Sequence, residues 1–488
     1  MEFKSKSGIK YFFDNDIGIA YPSHPNIEKM IGNTSRIKED ISTLPTDDDS
    51  LFYLKFLQKL DKIRPKQKPK RQSPILPGDA RKMVFRDGLY QMILGITEDC
   101  NLRCRYCVYS DAYTLTRKPS KQVMDFKTAK KALDHYASLI REGRQYNPVR
   151  RPAVGFYGGE PLLNFHLIQE CVHYLKTTCP DIDFFYSLTT NGTLLTKEKE
   201  DFLKEHGFTL TISIDGPKNE HDRKRVYPNG EGTFDDVMKN VRRYITTGYE
   251  KCMSICVFDY KSDLFSLDAF FSRSDIPKLS LISLPSDQDG CVYYDQFIEE
   301  DIENYRALEE RTFQYYLDHI TEEENRHSVF EQFYPVFASR LLYTIPVMVM
   351  PEDRVIPYSG ACILGRKIFV DAHGNFHPCE RINHFFPIGN AWTGLDFSRI
   401  ASIMNDYNKH LESCATCSIS KACGYCYNHF AKDGYFDSAS DVCKEEEKIK
   451  KWEFSKAFTI GEKHPLLLDI LVKDYYSWLS KVSPTLGD

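Results

Sequence analysis

The chain has 488 residues, 42% of them hydrophobic and 27% charged, with a formal net charge of −5. That length suggests about three domains, the mild acidity argues against a broad nucleic-acid footprint, and no apolar run approaches the ~18 residues of a membrane span. Met1-Glu-Phe-Lys-Ser-Lys-Ser7 lacks a signal-peptide core, so the 15 cysteines point to metal binding rather than disulfides and to a cytoplasmic location.

Residues 1–65 form a small α+β module. Gly8–Asp14 and Ile17–Tyr21 are strand candidates joined by the turn Asp14-Asn15-Asp16, and helical patterns begin at Pro25 and at Leu51. The basic run Lys62–Arg71 opens a Pro-rich linker over 66–87 rather than a nucleic-acid arm. From 88 to 285 strands and helices alternate. Strand candidates are 91–97, 153–157, 183–189, 208–214, 253–258 and 278–284, and a helix is predicted from Asp125 to Glu142. Repeated βα units argue an α/β fold with a parallel sheet, here a partial (β/α)6 barrel with its chemistry at the C-terminal strand ends.

Polar motifs stand at those ends. Cys100-Asn-Leu-Arg-Cys104-Arg-Tyr-Cys107 follows the first strand. Three thiolates on one loop suit three irons of a four-iron four-sulfur cubane and leave the fourth without a protein ligand, the mark of a catalytic site; a zinc loop is the plainer alternative. Gly158-Gly159-Glu160 follows the second strand, where glycines admit a close approach to a ligand or simply make a turn. Thr189-Thr-Asn191-Gly-Thr193 ends the third. Ser213-Ile-Asp215-Gly-Pro217 ends the fourth and leads to His221-Asp-Arg-Lys-Arg225. Asp215 is expected to order the turn. Arg225 suits a carboxylate, or is a surface residue beside Asp222.

Residues 286–355 are a bridging region whose run from Glu299 to Arg326 is helical with a solvated charged face. Cys171, Cys179, Cys252, Cys256 and Cys291 fit no cluster spacing and are expected as buried or incidental thiols. Residues 356–450 hold seven patterned cysteines: Cys362, Cys379 after a hairpin turning at 372–375, Cys414, Cys417, Cys423, Cys426 and Cys443. The gap between the two Cys-x-x-Cys pairs is shorter than in a zinc ribbon. A helical tail occupies 451–488.

The three-cysteine loop, with Tyr106 before its last cysteine, resembles the signature of radical S-adenosylmethionine (SAM) enzymes. The resemblance implies a cluster on Cys100, Cys104 and Cys107 whose open iron chelates SAM. It assigns Tyr106, Gly158, Gly159, Glu160, Asn191, Ser213 and Arg225 to the SAM site, with Glu160 in the motif that meets the methionine amino group. The C-terminal cysteines resemble the SPASM domain, which carries two auxiliary four-iron four-sulfur clusters, for three in all. Cys414, Cys417, Cys423 and Cys443 would ligate the distal one. Cys362, Cys379 and Cys426 would hold the proximal one, with no eighth cysteine in Ile363–Ile368 to close it. One departure is visible: two residues, not three, separate Cys423 from Cys426. Residues 1–65 resemble a winged-helix-like leader-recognition element, which takes up its peptide as an added strand.

These resemblances imply a maturase of the sactipeptide or ranthipeptide type. Its partners would be a cysteine-containing precursor peptide with a leader and a flavodoxin- or ferredoxin-type electron donor, with no nucleic acid and no membrane. The alternatives are a formylglycine-forming sulfatase maturase and, from another class, a zinc-stabilised binding protein.

Overall fold

The computed structural model describes residues 1–23, 74–116, 120–320, 329–334, 362–437 and 440–465, together with positions 55, 56, 59 and 477. Three antiparallel strands open the chain: β1 (Glu2–Lys4), β2 (Lys10–Asp14) and β3 (Ile19–Pro22). After α1 (Pro77–Asp87) come the barrel units: β4 (Gln91–Thr97), α2 (Phe126–Gly143), β5 (Ala153–Gly158), α3 (Phe165–Thr178), β6 (Phe185–Thr190), α4 (Lys197–Glu205), β7 (Thr209–Ser213), α5 (Lys218–Lys224), α6 (Phe234–Ile245), β8 (Cys252–Val257), α7 (Leu264–Phe271) and β9 (Lys278–Ser283). Then follow α8 (Glu299–His319), α9 (Val329–Phe333), β10 (Lys367–Val370), β11 (Asn375–His377), β12 (Gly389–Asn390), β13 (Gly394–Leu395), α10 (Phe397–His410), α11 (Tyr427–Phe430) and α12 (Ser440–Lys463).

Strands β4 to β9 pair in chain order, all parallel, as the alternation predicts. Strand β4 is buried along nearly its whole length because helices and neighbouring strands cover both its faces. Side-chain caps start the helices: Asp125 accepts the Thr128 N–H at 2.7 Å, Thr196 that of Lys199, and Asp396 that of Arg399.

Contacts and elements run across several of the expected divisions. The C-terminal hairpin is not confined to a separate domain. β10 pairs in parallel with β4, Lys367 opposite Gln91 and Val370 opposite Leu94, and β11, β12 and β13 extend one ten-stranded sheet. An open barrel leaves the edge of its first strand unpaired, and the hairpin covers that edge. The expected linker 66–87 ends in α1, which starts with Pro77 in the first turn, where a missing N–H costs nothing. Its approach is pinned by Ile75 N–H to Asn405 Oδ1 at 2.8 Å and Asn405 Nδ2 to the Ile75 carbonyl at 3.0 Å. Helix α12 runs through the boundary expected at 450.

Nor do the first 23 residues stand apart. Phe3 and Phe13 pack on Phe454 at 5.1 and 4.8 Å, Tyr11 packs on Phe458 at 4.6 Å, and Lys6 reaches Glu310 on α8 at 2.8 Å. The turn residue Asn15 donates to Ser420 and accepts the Lys421 N–H, beside the C-terminal cysteines. The helices expected from Pro25 and Leu51 lie outside the described residues, apart from Lys55, Phe56 and Lys59, which are helical. Among the described residues, no helix is long and apolar enough to cross a membrane.

Candidate active site

The three-cysteine loop leaves β4 and is held on three sides. Backbone bonds from the Arg103 N–H to the Val226 carbonyl at 2.7 Å and from the Arg105 N–H to the Lys224 carbonyl at 3.0 Å dock it on the segment after α5. The sulfurs accept from their own loop: Leu102 N–H to Cys100 Sγ and Tyr109 N–H to Cys107 Sγ, both 3.4 Å. Such bonds suit thiolates that carry charge into a cluster. Cys104 lies close enough to Cys100 and Cys107 to feel the charge of both. Burial pushes the free thiols up, Cys100 to about 11 and Cys104 to about 12, so metal loading must displace protons.

The second side is the end of β5. A Cβ on Gly158 would lie 2.2 Å from the Thr97 carbonyl oxygen and one on Gly159 2.1 Å from that of Asp99. Gly158, at φ +139°, and Gly159 are therefore needed for close approach of backbone to backbone at the barrel mouth. The Gly159 and Glu160 N–H groups donate to those same two carbonyls at 2.8 and 2.9 Å. Glu160, 1% exposed, accepts from Leu162 N–H, Thr190 Oγ1 and Asn191 N–H at 3.0, 2.7 and 2.8 Å. It joins the end of β5 to that of β6. Burial raises its carboxyl even against these bonds.

The end of β6 supplies the third side. Asn191 Nδ2 donates to Asn101 Oδ1 at 2.9 Å and stands 3.9 Å from Cys100 Sγ, while Asn101 donates to Thr193 Oγ1 at 2.8 Å. Asn191 thus holds the cysteine loop in place. Ser213 ends β7 half-exposed.

Arg225 is 6% exposed, so it is no surface residue; Asp222 instead accepts the Phe234 N–H at the start of α6. Arg225 Nη1 donates to the Tyr106 hydroxyl at 2.7 Å, which donates to Asp215 Oδ2 at 2.7 Å. Asp215, fully buried, also accepts the Val257 N–H, and so does more than order its turn. Its own N–H points to His221 Nδ1, leaving the proton on Nε2 beside Thr233 Oγ1 at 3.0 Å, and burial keeps that ring neutral. Arg225 Nε is buried without a hydrogen-bond partner among the described residues. It is a donor available to an anion at the barrel mouth.

Several of the C-terminal thiols lie near one another. Cys414 senses Cys417 and Cys443, and Cys423 senses Cys414. Cys426 senses Cys362, and Cys379 senses Cys426. Cys291 instead neighbours Tyr113 and Tyr294. Among the described residues no three His, Cys, Asp or Glu side chains close around a single metal ion. A cubane asks for something wider, because its ligands bind separate irons. The soft donors, N–H groups directed at sulfur and the unpaired Arg225 Nε fit a cluster with an anionic ligand.

Residues 94–263 match the radical SAM superfamily model. The chain is 34% identical over 184 residues to an uncharacterised protein of Methanocaldococcus jannaschii, covering 38% of this chain and 58% of that one. It is 30% identical over 200 residues to the cysteine-type anaerobic sulfatase-maturating enzyme of Clostridium novyi, covering 40% and 50%. The chain spans about half the length of the curated relatives it matches. A solved structure described as native anSMEcpe with bound AdoMet superposes with a TM-score of 0.57 at 20% identity, over 78% of this chain and 99% of that one. That likeness is one of fold. The matched segment ends just before α7, so it stops short of β9 and the C-terminal cysteines.

The roles of Asn101, Thr190 and His221 were not legible although each stands inside a motif already singled out, and Thr233, eight residues past Arg225, carried no signal of its own.

Proposed function

We propose that the chain is a radical SAM/SPASM maturase that installs cysteine-derived thioether cross-links in a ribosomally made precursor peptide, in the cytoplasm. What supports this reading is proximity among the C-terminal cysteines: Cys414 lies near Cys417, Cys443 and Cys423, and Cys426 near Cys362 and Cys379. Cys414, Cys417, Cys423 and Cys443 hold a distal auxiliary cluster; Cys362, Cys379 and Cys426 hold a proximal one. Cys100, Cys104 and Cys107 hold the cluster that meets SAM. When bound, these groups supply a 5′-deoxyadenosyl radical that takes a hydrogen atom from the peptide and a sink for the surplus electron. Arg225 orients the SAM carboxylate through its free Nε, with Tyr106 and Asp215 fixing the guanidinium. Asn191 and Glu160 hold the cysteine loop, and Ser213 stands at the polar end of the cofactor. The N-terminal sheet binds the leader, an arrangement supported by its packing on α12 beside the distal cysteines. A flavodoxin- or ferredoxin-type protein supplies electrons.

A second reading, formylglycine formation, is favoured by the sulfatase-maturating relatives. One experiment separates them. The reconstituted enzyme is incubated anaerobically with SAM, dithionite and cysteine-containing peptides, and the product is analysed by mass spectrometry. A thioether retains its sulfur and loses one thiol hydrogen and one carbon-bound hydrogen per link. Loss of sulfur from cysteine would establish the second reading, and an unchanged peptide would overturn both.

A further inference from the structure

The segment after β9 is tied on two sides. Toward the cysteine loop, the Tyr113 hydroxyl donates to the Ser286 carbonyl at 2.9 Å, the Thr114 N–H to that of Gly290 at 3.0 Å, and the Val292 N–H to that of Ala112 at 2.8 Å. Toward the C-terminal region, Asp289 pairs with Lys432 at 2.6 Å, and Asp287 lies 3.9 Å from His429. Between these two acidic residues sits Gln288. It is 4% exposed, and neither its Oε1 nor its Nε2 has a hydrogen-bond partner among the described residues.

A buried carboxamide with both ends unpaired is rare in a folded protein and needs a partner from outside the chain. It presents one acceptor and two donors in one plane. The matching surface is a donor and an acceptor side by side, which one residue of an extended peptide offers through its own N–H and C=O. Gln288 follows β9, away from the strand ends β5, β6 and β7 that carry Gly158, Asn191 and Ser213. It lies on the side where the barrel meets the residues after Cys426. Its segment is bonded to Tyr113 and Thr114, a few residues after Cys107, and to Asn428 and Lys432, a few residues after Cys426, so a peptide lying between the two cysteine groups would carry its main chain past this amide.

We propose that Gln288 is a peptide clamp: its carboxamide pairs with the main chain of the substrate next to the modified residue, binding independently of side-chain sequence. This rests on the peptide-modifying reading and adds the element of the substrate that is held. The free enzyme carries the unpaired amide as a fixed cost, and bound peptide relieves it.

The test uses the loaded, full-length enzyme with SAM and a random-sequence peptide library containing one fixed cysteine. Retained peptide is quantified by mass spectrometry. Gln288→Leu removes both polar ends at similar volume and should lower retention about tenfold across all sequences alike, with no fall in melting temperature, because an unpaired amide is lost. Methylating the main-chain nitrogens beside the cysteine should erase the wild-type advantage. If Gln288→Leu does not fold, Gln288→Met carries the same comparison. Equal retention by wild type and variant overturns the clamp, as does a matching loss of SAM binding without peptide, which would assign the amide to the cofactor. If the wild type retains no peptide, the peptide-modifying reading itself fails, and the clamp with it.

Discussion

The two cysteine-bearing regions are built in opposite ways. Cys100 to Cys107 span eight positions of one loop, and the barrel merely clamps what the sequence already places together. The C-terminal seven are scattered from Cys362 to Cys443 and come from three places: the hairpin that extends the barrel sheet, the loops after α10, and α12, so each group needs two of them to meet. The first site is local and braced by backbone. The second is assembled by packing, and the N-terminal sheet takes part through Asn15 and Lys421. Local sites tolerate little change in their frame; assembled sites depend on elements far away.

The largest expected effect tests the local site. Replacing Cys100, Cys104 and Cys107 together with Ala should abolish reductive SAM cleavage and remove about four irons per chain, one cubane's worth. Cys414→Ala with Cys417→Ala should remove a similar amount of iron yet leave measurable SAM cleavage, while peptide product is lost. 5′-Deoxyadenosine formed by the first variant would sink the assignment of the loop.

Bracing by backbone makes the next contrast. Gly159→Ala drives a Cβ into the Asp99 carbonyl and should cost about 1–3 kcal/mol, read as a lowered denaturation midpoint and poor iron uptake at the loop. A Cβ on Gly424 meets only the ends of the Glu446 and Lys450 side chains, at 3.4 and 3.7 Å. Gly424→Ala should stay within about 0.5 kcal/mol. Equal costs would mean that the C-terminal loops are as tightly framed as the barrel's.

The two regions should also respond oppositely to pH. Burial pushes the Asp371 carboxyl up, but hydrogen bonds from His377 and Asn375 outweigh it and bring it down to about 2. Its contribution is therefore present above its ordinary value of 3.8 and lost as pH falls toward 2, on the order of 2 kcal/mol. Glu160 is raised by burial, so its contribution is present below 4.5 and is lost as pH rises through its folded value. Acid titrations of the metal-free protein should lose this pH dependence below 4 in Asp371→Asn, and the loss above 4.5 should shrink in Glu160→Gln. The same sign of change in both variants would contradict the environments described.

The smallest effect concerns the brace on Arg225. Tyr106→Phe removes the hydroxyl between Arg225 and Asp215 while the Arg103 and Arg105 backbone bonds remain. Iron content should hold, and SAM affinity of the loaded protein, measured calorimetrically, should weaken about tenfold. Unchanged affinity would remove Tyr106 and Asp215 from the positioning of the guanidinium.

The barrel was legible in the chain because short strand-like segments, apolar or alternating, recur between helical patterns; 91–97 and Gln91–Thr97 agree to the residue. The cysteine loop was legible because its ligands sit within reach of one another along the backbone. Helix caps are equally local, since Asp125, Thr196 and Asp396 act on N–H groups three positions away. Only the tertiary structure decided that Gly158 and Gly159 serve backbone contact, that Arg225 is buried, and that the hairpin at Lys367 joins the barrel sheet. These depend on groups distant in sequence: the Asp99 carbonyl meets Gly159 across 60 residues, and the edge of β4 meets Lys367 across more than 270. Periodicity reports which face of an element is apolar. It carries no information about which partner covers that face, because burial rewards any apolar surface of the right shape.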